Sequence, residues 1–155
     1  SDIGPSHSEL ATEPLFTERM ALFVREDHPL ASRNAIEARL LEALPFIHVN
    51  PAANIWRSVG RQLAGVANLD PQVLHHVSML STAFGLIQAG AGVSLLPRYV
   101  EVLMPPNVRA VAVTRPTLEY PVMALRLAKH PLSPAAMAFL DIARQHLKPP
   151  RAGRS

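Results

Sequence analysis

The sequence predicts an α/β fold, a sheet with helices packed on both faces. Three observations support this: apolar runs of strand length alternate with segments of helical periodicity, Pro and Gly fall between these segments, and residues 73–96 read as strand, helix, strand. At 155 residues the chain fits one domain or two small lobes and can bury about two thirds of its unfolded surface.

Residues 16–25 alternate, with Met20, Leu22 and Val24 on one side and Arg19 and Ala21 between them, so they predict a strand that stops at Glu26-Asp27-His28-Pro29. Asn34 followed by Glu37 has the spacing of a capping box, and Ile36, Leu40, Leu41 and Leu44 would line a helix ending before Pro45. A short strand is expected over 46–49. The turn 50–54 ends in Asn54, a capping residue for a helix with Ile55, Val59 and Leu63 inward and Arg57 and Arg61 outward. Residues 73–78 give the next strand, and Leu80, Phe84 and Ile87 the next helical face. Gly90 suits the left-handed position after that helix, and 93–96 form a buried strand stopped by Pro97. A short helix over 98–104, strands over 108–113 and 120–128, and a last helix complete the pattern. That helix is capped by Ser133, starts at Pro134 and lines up Met137, Leu140, Ala143 and Leu147.

Composition narrows the function. With no cysteine there is no disulfide scaffold, thiolate nucleophile or Cys-ligated metal. No apolar stretch is long enough for a membrane helix, and residues 1–8 lack the features of a secretory signal, so the expected location is cytoplasmic. The net charge of +3 comes from Lys148, Arg151 and Arg154 in the last eight residues, and the rest of the chain balances. A neutral body with few aromatics is not a nucleic-acid-binding face.

Gly90-Ala91-Gly92 opens like a dinucleotide fingerprint, but Leu95 stands where the third glycine belongs and a strand follows. His75 and His76 are neighbours on a strand and point to opposite faces, and no two histidines stand four apart on a predicted helix, so neither a metal nor a cofactor is assigned. Ser78, Ser81 and Thr82 bracket a helix start, where unpaired N–H groups and the helix dipole favour an anion, although simple capping also accounts for such residues. A second helix start at Asn54 follows His48 and Asn50. Two helix starts after two strand ends make the kind of crevice in which open α/β sheets bind ligands. A hydrolase built from Ser78, His76 and Asp70 lacks any nucleophile-elbow or oxyanion motif.

The segments Pro14-Leu15-Phe16 and Ala21-Leu22-Phe23-Val24-Arg25-Glu26-Asp27-His28-Pro29-Leu30-Ala31 resemble the effector domain of LysR-type transcriptional regulators. So does residues 81–97, a helix, glycine-rich turn and strand ending in Leu96-Pro97, and residues 133–140 resemble that family's closing helix. The likeness spans residues 2 to about 147.

This resemblance implies a type II periplasmic-binding-protein-like fold with an effector held between two α/β lobes. Residues 16–118 would be the second lobe, nearly complete, 1–15 and 119–148 part of the first, and 149–155 a disordered basic tail. Two strand–helix units of the first lobe and the winged helix-turn-helix are expected to be missing, so DNA would be reached only through that absent domain. Effector contacts carried over from the family are His48, Asn50, Ala52 and Asn54, then Ser78, Ser81 and Thr82, with Ser6 and His7 at the border after Pro5. The implied partner is a small organic anion, acting by population shift without catalysis. Uncovered apolar surface on the partial lobe implies a homo-oligomer. The alternative reading is a solute-binding protein of a transport system.

Overall fold

The computed structural model describes residues 10–50 and 53–147, which fall into two compact units: Glu18–Tyr120, and the described parts of Ser1–Thr17 and Pro121–Ser155. The elements are β1 (Leu10–Arg25), β2 (Ala35–Glu37), β3 (Phe46–Val49), α1 (Asn54–Leu63), β4 (Val73–Val77), α2 (Leu80–Gln88), β5 (Ser94–Pro97), β6 (Val108–Thr114), β7 (Glu119–Leu127) and α3 (Pro134–His146). Turns of 3₁₀ helix lie at Ala38–Ala43, Asp70–Gln72 and Arg98–Leu103.

In the Glu18–Tyr120 unit, β1 lies between β5 and β6 and pairs antiparallel with both: Leu22 faces Leu95 on one side and Val111 on the other. β2 adds to β6 in parallel. β3 and β4 form a parallel pair, and the Phe46–Val93 bridge joins β3 to the strand side of β5.

A strand in this central position is buried on both faces, so the one-sided alternation read from residues 16–25 gives way to a run, Met20 to Val24, in which no side chain exceeds 2% exposure. Met20, Leu22 and Val24 pack with Leu41, Phe46, Val59 and Leu63, while Ala21 and Phe23 pack with Ile47, Phe84 and Ile87. α1 therefore covers one face and α2 the other, as the alternation predicts. Burial of each large side chain is worth roughly 1.5–3 kcal/mol, so this two-sided strand stabilises both faces of the sheet.

The capping box at Asn34 is not formed. Residues 35–37 pair instead with Ala112–Thr114, and the helix that follows is a 3₁₀ segment whose N-cap position, Glu37, makes no capping bond. Pairing with a distant strand outweighs the local helical pattern, and Leu40 is left exposed while Ile36 and Leu41 are buried. The helix expected over 98–104 is likewise 3₁₀, and β1 starts at Leu10, six residues earlier than the alternation predicts.

α2 ends in a Schellman turn. Gly90 has φ +75°, its N–H donates to the Ile87 carbonyl (2.9 Å), and the Ala91 N–H donates to the Leu86 carbonyl (2.9 Å). At Gly92 a Cβ would lie 2.6 Å from the Pro45 carbonyl oxygen, the same oxygen that accepts the Val93 N–H at 2.9 Å.

In the other unit the Ser133 hydroxyl accepts the Ala136 N–H (3.2 Å) and caps α3, as its sequence predicts. Arg144 grips Glu13 of β1 at both carboxylate oxygens (2.6 and 2.7 Å), and this hydrogen bond lowers the Glu13 pKa. Of the expected apolar face of α3, Ala143 is buried but Met137 is 51% and Leu147 40% exposed, and Phe139 and Leu125 are more exposed still.

The two glycines that face β3 and the α1 side should respond oppositely to alanine. Gly92→Ala should lower unfolding free energy by about 2–3 kcal/mol through the clash with Pro45. Gly60→Ala, inside α1 where a Cβ meets nothing within 4 Å, should raise it by roughly 0.5–1 kcal/mol. Urea unfolding of both variants checks the pair, and a neutral Gly92→Ala would contradict the packing described.

Candidate functional site

β3 and β4 run parallel with Val49 beside Val77, so their carboxyl ends stand side by side. From there the chain leaves β3 for α1 on one face of the sheet and leaves β4 for α2 on the other. Diverging connections of this kind open a crevice at adjacent strand ends.

Backbone hydrogen bonds fix that crevice. The Asn50 N–H donates to the Val77 carbonyl (2.7 Å), and the Ala53 N–H donates to the Asn50 carbonyl (2.9 Å). Asn50 itself has φ +47°, a left-handed conformation that asparagine tolerates better than most residues. The Trp56 indole N–H donates to the Val49 carbonyl (2.9 Å) and ties the first turn of α1 to the end of β3.

Both helices start without a side-chain cap. The N-cap of α1 is Ala53, not Asn54, which is the first helical residue, and the N-cap of α2 is Met79, one residue after Ser78. Neither cap position carries a side-chain acceptor; among the described residues the Trp56 N–H in the first turn of α1 donates to the Ala53 carbonyl (3.1 Å), while the first-turn N–H groups of α2 have no partner. Asn50, Ser78, Ser81 and Thr82 are exposed, and among the described residues their side chains form no hydrogen bond within the chain. The sequence-predicted residues of the two helix starts thus come together at one end of the β3–β4 pair. Ala52, Ser6 and His7 lie outside the described residues.

His48 takes a different position. It faces the α1 side of the sheet, with its ring edge-on to Trp56 (centroids 3.9 Å apart) and 5.9 Å from the ring of His76, its partner in the β3–β4 register. His75 pairs with Ile47 and points to the other face, as strand geometry requires. Among the described residues there is no group of three metal-ligating side chains, and no hydrogen bond joins His76 to Ser78 or Asp70.

An open α/β unit with an uncapped, polar crevice at parallel strand ends defines a ligand-binding domain. The chain belongs to the LysR substrate binding domain family, whose model matches residues 2–148.

Similar proteins include YbhD, an HTH-type transcriptional regulator of Escherichia coli K12, 30% identical over 139 residues that cover 88% of this chain and 43% of YbhD. TfdS of Cupriavidus pinatubonensis, also an HTH-type transcriptional regulator, is 35% identical over 79 residues, 51% of this chain and 26% of TfdS. The chain spans less than half the length of these relatives.

Among solved structures, the QuiR effector binding domain in complex with shikimate matches 93% of this chain and 68% of its own, with TM-score 0.75 at 21% identity. The regulatory domain of Synechocystis PCC6803 CcmR in complex with 2-PG covers 93% of this chain and 70% of its own, with TM-score 0.74 at 19% identity. These likenesses establish the type II periplasmic-binding-protein-like fold expected from the resemblance.

Sequence reasoning missed Trp56. A lone tryptophan on an amphipathic helix reads as core, and only the β3–α1 connection reveals that it latches Val49 and meets His48 edge-on. The spacing that could have found it is the eight residues from His48, one strand end and one helical turn.

Burial lowers the His48 pKa from its ordinary 6.5, His76 adds to the shift, and Asp70 opposes it. Burial lowers the pKa of His28 as well, against Asp27. Both imidazoles are held neutral in the fold, so their contribution to stability is complete above pH 6.5 and is lost as pH falls through the lowered native values. Thermal unfolding should therefore show a melting temperature that declines just below pH 6.5. His48→Gln should flatten part of that decline, and an unchanged slope would contradict the placement of His48.

Proposed function

We propose that this domain senses a small organic anion for a LysR-type transcription regulator, and that the anion sits at the carboxyl ends of β3 and β4. One observation carries the reading: two helices begin there with no side-chain cap, each turning the positive end of its dipole toward the same crevice.

Asn50, Ser78, Ser81 and Thr82 supply the polar contacts. His48 supports the Asn50 loop from behind through Trp56. Small ligands in the QuiR and CcmR domains agree in size class, and the regulators among the relatives favour this reading over a transport protein.

The action is binding without a chemical step. An effector that prefers one arrangement of the regulator shifts its population, and DNA contact belongs to a separate part of a longer protein working in the cytoplasm. Exposed apolar side chains on the α3 unit, such as Phe139 and Leu125, support a homo-oligomer.

The test is thermal unfolding of the full-length regulator against a panel of small carboxylates and aromatic acids. A ligand at ~100 times its Kd adds about 2.7 kcal/mol of stability. That gain should vanish in Thr82→Val and shrink in Asn50→Gly, which removes the carboxamide but keeps the left-handed backbone. A stabilising acid whose effect survives both substitutions would place its site elsewhere, and no stabilisation by any acid would contradict the reading.

A further inference from the structure

On the α1 face, away from the serines and threonine of the strand-end crevice, the fold leaves a cavity of about 500 Å³. That volume lies in the range of small-molecule sites. Its wall comes from α1, the loop that follows it and the 3₁₀ turn before β3, and it presents Trp56, His48, Leu63, Gly60, Glu42 and Asp70.

Several features show that the space is kept open. Gly60 faces it from the middle of α1, where a residue with a side chain would favour the helix, and a Cβ there would meet nothing within 4 Å. Gly65 turns the chain at φ +75° and also leaves its Cβ direction empty. The loop's apolar residues Val66, Ala67 and Leu69 are only partly buried against the core.

The wall has one sign of charge. Among the described residues Glu42 and Asp70 are the only carboxylates that line it, no Lys or Arg does, and neither carboxylate has an ion-pair partner. An anion would meet repulsion from both. A wholly apolar occupant would desolvate two carboxylates without compensation. A metal ion lacks a set of three ligands among the described residues. The aromatic surface of Trp56, with His48 against it, suits a cation on an organic body.

We infer that this cavity is a second ligand site, separate from the anion crevice, that takes a protonated organic amine with an aromatic or apolar body. The ammonium lies toward Glu42 and Asp70, and the body lies against Trp56 and Leu63. Because the Trp56 indole also holds the Val49 carbonyl beside Asn50, an occupant bears on the helix that borders the crevice.

The chain contains one tryptophan, so its fluorescence reports on this cavity and, through Val49, on the crevice beside it. Titrating the 155-residue chain with phenethylamine near neutral pH should give a saturable change in emission, and any change given by the isosteric acid 3-phenylpropanoate, bound at the crevice, should persist when the cavity is filled. Gly60→Leu, which fills the space, should abolish the amine's change while circular dichroism stays native. Glu42→Gln with Asp70→Asn, both at the surface, should weaken binding about tenfold and decides the matter if Gly60→Leu fails to fold. No saturable response to the amine up to ~10 mM, well beyond the affinity of a functional site, would overturn the inference. So would acid binding that Gly60→Leu abolishes, or unchanged amine binding in the double variant.

Discussion

The domain's ligand-facing strands hang on one seam. β3 and β4 pair with each other, and what ties them to the larger sheet is the contact of β3 with the chain around β5: Val93 N–H to Pro45 carbonyl (2.9 Å), Ile47 N–H to Val93 carbonyl (2.8 Å), and the fully buried Ser94 hydroxyl to Ile47 carbonyl (2.8 Å). The backbones approach so closely that only glycine fits at 92. A buried hydroxyl left without its acceptor would cost about 1–3 kcal/mol, so Ser94 fixes the register of this seam as well as strengthening it. With β3 in place, β4 follows through the parallel ladder, and the strand ends that carry Asn50 and Ser78 come level.

From that position function follows through topology. The two crossovers leave the sheet on opposite faces because each helix must bury its apolar side, α1 through Val59 and Leu63 and α2 through Phe84 and Ile87. Packing alone thus separates the connections and opens the crevice. The absence of side-chain acceptors at Ala53 and Met79 leaves both helix starts at that crevice uncapped, at a modest cost in stability, since a good cap is worth about 1 kcal/mol. The same α1 helix, through Trp56, Gly60 and Leu63, also walls the cavity into which Glu42 and Asp70 of other segments bring negative charge.

Much of this was legible in the sequence, and the parts that were share a physical basis. The strand at 46–49, the helix from Leu80, the turn at Gly90 and the cap at Ser133 rest on signals contained within a few residues, and the structure places each as read. Residues 34–44 were misread because a local capping pattern competes there with pairing to Ala112–Thr114, more than seventy residues away, which no local rule detects. The caps at Asn54 and Ser78 were each read one residue out of place, since a polar residue near a helix start signals the start but not which position it occupies. The residues of the proposed crevice were legible through strand ends and helix starts. The cavity over His48 was not, because Glu42, Trp56 and Asp70 belong to three different segments that only the β3–α1–β4 crossover assembles.

Native-state amide hydrogen exchange tests most directly whether the seam supports the site. The account predicts that the Ile47 and Val93 amides exchange only by global unfolding, while the Asn50 amide, bonded to Val77 at the exposed strand end, exchanges by a smaller local opening. Ile47 and Val93 amides that exchange as readily as Asn50 would show that β3 and β4 open independently of the sheet, and would contradict the account.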